Sequence, residues 1–310
     1  MIVDGRTPVV VVTGFLGSGK TTLINKWIKD LSDTFVIVNE FGDVPVDHHL
    51  IENSQERTVA LPNGCLCCRL RGDLEETLIG AHMRRRRGDI AGFDRVIVET
   101  SGIADPGPVA QTLFSDQALA RDFRLGPVVA VVDAADAQSR KAAIEIAQAQ
   151  IAAADVVILS KVDRSQDLEK TKNEIHGINA AVQCIPAAFG AVDPKLILEI
   201  SGSDPDFRPA AAHPTDIRSF VLRFAEPVPR ALLEQFLSTL VELRGADLLR
   251  VKGIVRISAG GFVLVQGVRH VFDRLRPAPG GESALVFISR VQDDEIEGLW
   301  QAMSKLKGST

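Results

Sequence analysis

The apolar run 9–12 leads directly into Gly14-Phe15-Leu16-Gly17-Ser18-Gly19-Lys20-Thr21-Thr22, and residues 23–31 then read as a helix. No other stretch restricts the fold as strongly. A strand, a glycine-rich loop and a helix in that order make one crossover unit, and the Gly-x-x-x-x-Gly-Lys-Thr spacing is that of a phosphate-cradling P-loop. The chemistry asks for these residue types. Gly14, Gly17, Ser18, Gly19 and Thr22 belong to a turn whose backbone amides face the β-phosphate. Lys20 reaches the β- and γ-phosphates, and the Thr21 hydroxyl can ligate Mg²⁺.

The strand rhythm continues at 35–38, 96–98, 128–132, 156–159 and 182–185, with helix-length segments between. Because these runs are apolar at nearly every position, both faces of the sheet should be covered by helices. The expectation is an α/β domain, doubly wound on a mostly parallel sheet, over residues 1–205. Residues 201–215 are rich in Pro, Gly and polar residues and follow neither period, so the linker belongs there. Beyond it, residues 216–310 read as a smaller α+β domain. Its elements are a strand at 217–224, a helix at 229–243, two or three strands between 248 and 272, a strand at 284–289 and a final helix from Asp293.

Composition narrows the partners. Lys+Arg 35 against Asp+Glu 40 leaves a formal charge of −5, which argues against an overall basic, nucleic-acid-binding surface. No apolar run approaches the roughly 18 residues of a membrane span, so the expected location is cytoplasmic with no membrane partner. Tyrosine is absent, which excludes a tyrosyl acid or nucleophile.

Two further motifs extend the nucleotide reading. Val96-Ile97-Val98-Glu99-Thr100-Ser101-Gly102 is a strand ending on a carboxylate. Glu99 is placed to hold a Mg²⁺-bound water or to orient the attacking one, and the Gly102 amide to meet the γ-phosphate. In Ser160-Lys161-Val162-Asp163, the aspartate can accept from guanine N1–H and N2–H₂, a donor pair adenine lacks, while the lysine stem covers the base. That points to GTP over ATP. Ser160 stands where many GTPases carry Asn.

Three of the four cysteines fall within Gly64-Cys65-Leu66-Cys67-Cys68. Adjacent Cα atoms are about 3.8 Å apart, below the usual disulfide range of about 4.4–6.8 Å, so a Cys67–Cys68 bridge would be strained. Thiolates at this spacing suit Zn²⁺ or another soft or borderline ion, with a fourth position left to water, carboxylate or imidazole. A redox role for Cys65 and Cys67 is the other reading. Cys184, alone in an apolar run, is expected in the core.

With Gly14 to Thr22, Asn39-Glu40-Phe41-Gly42, the cysteine cluster, Glu99-Thr100-Ser101-Gly102 and Ser160-Lys161-Val162-Asp163 in this order, the chain resembles the CobW-like GTPases over nearly its whole length. The resemblance implies a GTP-hydrolysing metallochaperone, typically for zinc with cobalt as the other ion. It would deliver to a client metalloprotein and pair into a nucleotide-dependent homodimer. By position it makes Glu40 the switch I carboxylate near Mg²⁺ or the transferred metal, and Cys65, Cys67 and Cys68 the metal thiolates. This chain departs from the family at Asp43-Val44-Pro45-Val46-Asp47-His48-His49, where Pro45 stiffens switch I and the histidines are supplementary ligand candidates.

Arg84-Arg85-Arg86-Arg87 follows a helix read over 70–83 and offsets its dipole, and His270 reads as a packing residue on a strand. Two other functions fit parts of the pattern. One is a redox-sensing GTPase whose cysteines oxidise, and the other a P-loop kinase acting on a small molecule.

Overall fold

The computed structural model describes residues 5–38, 58–60, 68–135, 144–200 and 216–307. Packing divides the described residues into two units: those within 5–172 and 183–200, and those within 173–182 and 216–307.

Among the described residues the first unit carries seven strands: β1 (Thr7–Thr13), β2 (Thr34–Val38), β3 (Thr58–Ala60), β4 (Arg95–Glu99), β5 (Phe123–Asp133), β6 (Val156–Ser160) and β7 (Gln183–Pro186). They pair in the order β3-β2-β4-β1-β5-β6-β7, and every pairing is parallel. Valines 9 to 12 in β1 are all buried, as a central strand covered on both faces requires. The helices along this part of the chain are α1 (Lys20–Asp30), α2 (Cys68–Arg87), α3 (Gly107–Ser115), α4 (Gln117–Asp122), α5 (Ile144–Ala153), α6 (Leu168–Ile178), whose residues from 173 on are grouped with the second unit, and α7 (Pro194–Ile200). On α1 the buried residues are Lys20, Leu23, Ile24 and Trp27, the i, i+3, i+4, i+7 stripe of a helix laid on a sheet.

Several sequence expectations change. β3 was not foreseen, being only three residues long. The arginines do not follow α2 but form its last turn. The helix stops at Gly88, whose φ of 80° lets Gly88 N–H donate to Arg85 O (3.1 Å) and Asp89 N–H to Arg84 O (2.9 Å). Arg85 Nη1 donates to Thr7 Oγ1 at 3.3 Å, and its guanidinium lies 5.0 Å from the Phe93 ring centroid. Cys184 is half-buried, because β7 is the edge of the sheet.

The second unit carries β8 (Arg218–Arg223), β9 (Leu248–Arg256), β10 (Phe262–Val268), β11 (Val271–Phe272), β12 (Arg276–Ala278) and β13 (Ala284–Ser289), with helices α8 (Arg230–Arg244) and α9 (Asp293–Lys307). The strand order is β11-β10-β9-β13-β8, with β12 on β10, and the ladders are antiparallel. Leu233, Phe236, Leu237 and Leu240 of α8 share a core with Val255, Leu285 and Phe287. Trp300 of α9 stands edge-on to Phe224 and Phe236, with ring centroids 4.9 and 5.3 Å apart. His270 is not on a strand: with Arg269 it forms the turn between β10 and β11. Among the described residues no helix is long and apolar enough to cross a membrane.

Candidate functional site

The parallel sheet brings its motifs to one edge because all its strands end on the same side. Val12 of β1 and Val38 of β2 are both level with Glu99 of β4, and Val38 is level with Ala60 of β3. The P-loop leaves β1 at this edge. Gly14 has φ 139°, and a Cβ there would sit 2.2 Å from the Val131 carbonyl oxygen, so only glycine fits against β5.

Lys20, the first residue of α1, is buried, and its Nζ donates to the carbonyls of Gly14 (2.9 Å) and Phe15 (3.3 Å). The loop thus carries its own cation, beside a helix N-terminus with no acidic residue in the first turn. That combination favours an anion. The Thr21 hydroxyl donates to Glu99 Oε1 at 2.8 Å, and Glu99 is buried at the end of β4. A hydroxyl beside a buried carboxylate is an all-oxygen donor set of the kind a hard divalent cation takes.

After Glu99 the chain stays against the P-loop. Thr100 N–H donates to Val12 O and its hydroxyl to Thr13 Oγ1, at 2.9 and 3.0 Å. At Gly102 a Cβ would lie 2.6 Å from Leu16 N, so the two loops touch through backbone. From the far side Gln150 of α5, itself buried, donates to Gly102 O (3.3 Å) and Ala104 O (3.1 Å). The 101–104 turn is therefore held between the P-loop and α5.

A second cleft opens beside the P-loop, lined among others by Ser18, Gly19, Thr22, Ser160, Lys161 and Asp163. Lys161 has φ 53°, and its ammonium meets Asp133 Oδ2 at 2.6 Å, while Ala135 N–H donates to Asp133 Oδ1 at 2.9 Å. The Asp163 carboxylate is about one-third exposed, with Arg164 Nε 3.7 Å away, too long for a hydrogen bond. Ser160 Oγ donates to the Ser18 carbonyl at 2.6 Å. Its proton is committed to tying β6 to the P-loop, so it does not read a base. Ser160→Ala should therefore cost about 1–2 kcal/mol in stability by orphaning a buried carbonyl. It should leave the expected preference for GTP over ATP unchanged; denaturant melts and nucleotide competition read the two effects separately.

Of the residues singled out from sequence, Gly14, Gly17, Ser18, Gly19, Lys20, Thr21, Thr22, Glu99, Gly102, Lys161 and Asp163 all lie among the described residues of this one unit. Glu40, His48, His49, Cys65 and Cys67 lie outside the described residues, as does the 201–215 linker, and Cys68 is the first residue of α2. Asp133 and Gln150 were missed. Asp133 carries a faint signal, a carboxylate at the end of an apolar strand; Gln150 carries none.

The family model described as CobW/HypB/UreG, nucleotide-binding domain, matches residues 8–186, and that of the cobalamin synthesis protein cobW C-terminal domain matches residues 217–305. A zinc chaperone of Escherichia coli, YjiA, is 33% identical over 315 residues, covering 96% of this chain and 98% of its own. The zinc-regulated GTPase metalloprotein activator 1 of Schizosaccharomyces pombe is 28% identical over 340 residues, covering 93% of this chain and 81% of its own. The crystal structure of Zn(II)-bound YjiA GTPase from E. coli superposes with a TM-score of 0.72 at 27% identity, covering 96% of this chain and 99% of that one.

Proposed function

Because the chain belongs to the CobW/HypB/UreG family and carries the CobW C-terminal domain, we propose that it is a GTP-hydrolysing metallochaperone that carries zinc on Cys65, Cys67 and Cys68 and hands it to a client metalloprotein. One observation carries this reading. The segments 39–57 and 61–67 leave β2 and β3 at positions level with Glu99, the residue that Thr21 of the P-loop contacts. In the chain Glu40 follows Val38 by two residues and Cys65 follows Ala60 by five, and both strands end at the edge where the phosphates would sit.

The residues gathered at this edge then divide the work. The P-loop amides and the N-terminus of α1 bind the phosphates, and Lys20 exchanges its bonds to Gly14 O and Phe15 O for phosphate oxygens as charge builds on them. Thr21 and Glu99 would hold Mg²⁺, which supplies charge neutralisation on the β- and γ-phosphates. The Gly102 amide, on a turn pinned by Gln150, would meet the γ-phosphate. Asp163 selects guanine. Loss of the γ-phosphate removes a partner of the 101–104 turn and of the segment after β2, and so changes the surroundings of the thiolates.

Anaerobic Zn²⁺ and Co²⁺ titrations of the reduced chain test this, on wild type and on Cys65/Cys67/Cys68→Ser, with a non-hydrolysable GTP analogue, with GDP and without nucleotide. The expected result is thiolate-dependent binding whose affinity differs between the GTP and GDP states and disappears in the triple variant. No thiolate-dependent binding in any state would leave the redox-sensing GTPase as the better reading. Equal affinity in all three states would refute the coupling.

A further inference from the structure

Among the described residues three non-glycine positions have positive φ: Lys161 (53°), Phe189 (51°) and Arg269 (56°). Two of the three, Lys161 and Phe189, line the same cleft as Asp163. A bulky residue in the left-handed region is strained, and such strain persists where the surroundings impose it, often around a ligand. Phe189 is also 69% exposed, the one aromatic side chain among the large apolar residues exposed in the described part of the chain.

The loop that presents it is fixed at both ends. Ala187 N–H donates to Leu159 O at 2.8 Å, which continues the β6–β7 ladder. Trp27 Nε1 donates to Val192 O at 3.1 Å from the buried face of α1. Between them Ala191 N–H donates to Ala188 O (3.0 Å) and Val192 N–H to Gly190 O (3.0 Å). At Gly190 a Cβ would stand 3.3 Å from Leu23 Cα, so the loop lies directly against the first turns of α1, just behind the P-loop. The ring is thus held out into the cleft by a tethered loop.

A planar base entering this cleft has an edge to offer Asp163 and two faces to cover. Lys161, its ammonium held by Asp133, supplies an aliphatic stem for one face. We propose that Phe189 supplies an aromatic platform for the other, so that guanine is clamped between Lys161 and Phe189 while Asp163 reads its edge. The proposal rests on the GTPase reading and adds to it a base-binding residue from a loop that no nucleotide motif in the sequence marks. Stacking is indifferent to base identity, because every base has a π-face. Phe189 therefore sets affinity, and Asp163 sets selectivity.

Calorimetric titration of the full chain with GDP, IDP and ADP, on wild type, Phe189→Ala, Phe189→Leu, Phe189→Trp and Phe189→Gly, tests this. Phe189→Ala should weaken GDP by about tenfold and IDP by the same factor, leaving the GDP-to-ADP ratio unchanged. Phe189→Leu should also be weak, since it keeps apolar bulk without a π-face, whereas Phe189→Trp should bind at least as well as wild type. Phe189→Gly relieves the positive φ, so it should melt no lower than wild type without nucleotide while binding GDP as weakly as Phe189→Ala. Wild type that binds GDP alongside a Phe189→Ala or Phe189→Leu variant of equal affinity overturns the platform and leaves the GTPase reading standing. Wild type that binds no guanine nucleotide overturns both.

Discussion

Lys20→Ala should lower the rate of GTP hydrolysis by about 10²–10³-fold, measured as phosphate release at saturating nucleotide, while the chain stays folded. The magnitude is that of removing one preorganised donor from a site where charge develops. Lys20 is buried at the start of α1, and its ammonium already sits on the Gly14 and Phe15 carbonyls, so it needs little reorganisation to meet a phosphate. The truncation also leaves those two carbonyls without that donor. A modest loss of stability, about 1–3 kcal/mol, should therefore accompany the catalytic defect. The two effects separate experimentally: a melt with excess GDP reports folding and binding, and single-turnover hydrolysis reports chemistry. A single-turnover rate within threefold of wild type would remove Lys20 from the catalytic step.

What the sequence made legible were the parts of the site whose chemistry lies within one short segment. Gly14 to Thr22 forms a single strand-to-helix turn, so its spacing is its geometry. Glu99 and Asp163 follow apolar runs whose ends a parallel sheet must bring to one edge. Residues recruited from elsewhere were not legible. Asp133, which holds Lys161 and shows in sequence only faintly as a carboxylate ending an apolar strand, and Gln150, which holds the 101–104 turn, make contacts across distances in sequence that no local pattern encodes. Phe189 reads in sequence as one more apolar residue after a strand, and only its positive φ and exposure set it apart. In the second unit the Arg269-His270 turn was hidden for a related reason: Arg269 takes a left-handed φ without the Gly or Asn that usually announces one. The last turn of α2 was legible in principle, since nothing before Gly88 breaks a helix.

Asp163→Asn should invert base preference, weakening GTP by about a hundredfold and strengthening xanthosine triphosphate by a similar factor. A carboxylate accepts two hydrogen bonds, matching guanine N1–H and N2–H₂, and each bond to a charged group contributes about 1.5–3 kcal/mol. An asparagine amide has one acceptor and one donor face. Against guanine its NH₂ confronts another NH₂ and both go unpaired, whereas xanthine presents a carbonyl oxygen at that position. The long 3.7 Å separation from Arg164 means that the change breaks no hydrogen bond to that neighbour, so stability should hardly move. Ser160 cannot compensate, because its hydroxyl is bound to the Ser18 carbonyl. Adenine presents neither donor pattern, so ATP should remain a poor ligand of both forms. The variant also separates edge reading from stacking: an intact Phe189 platform should hold xanthosine and guanosine nucleotides alike, and the switch between them should come from Asp163 alone. Competition of labelled GDP by GTP, xanthosine triphosphate and ATP measures all three. Unchanged GTP preference in Asp163→Asn would show that the base is read elsewhere, and would return the cleft beside the P-loop to a structural role.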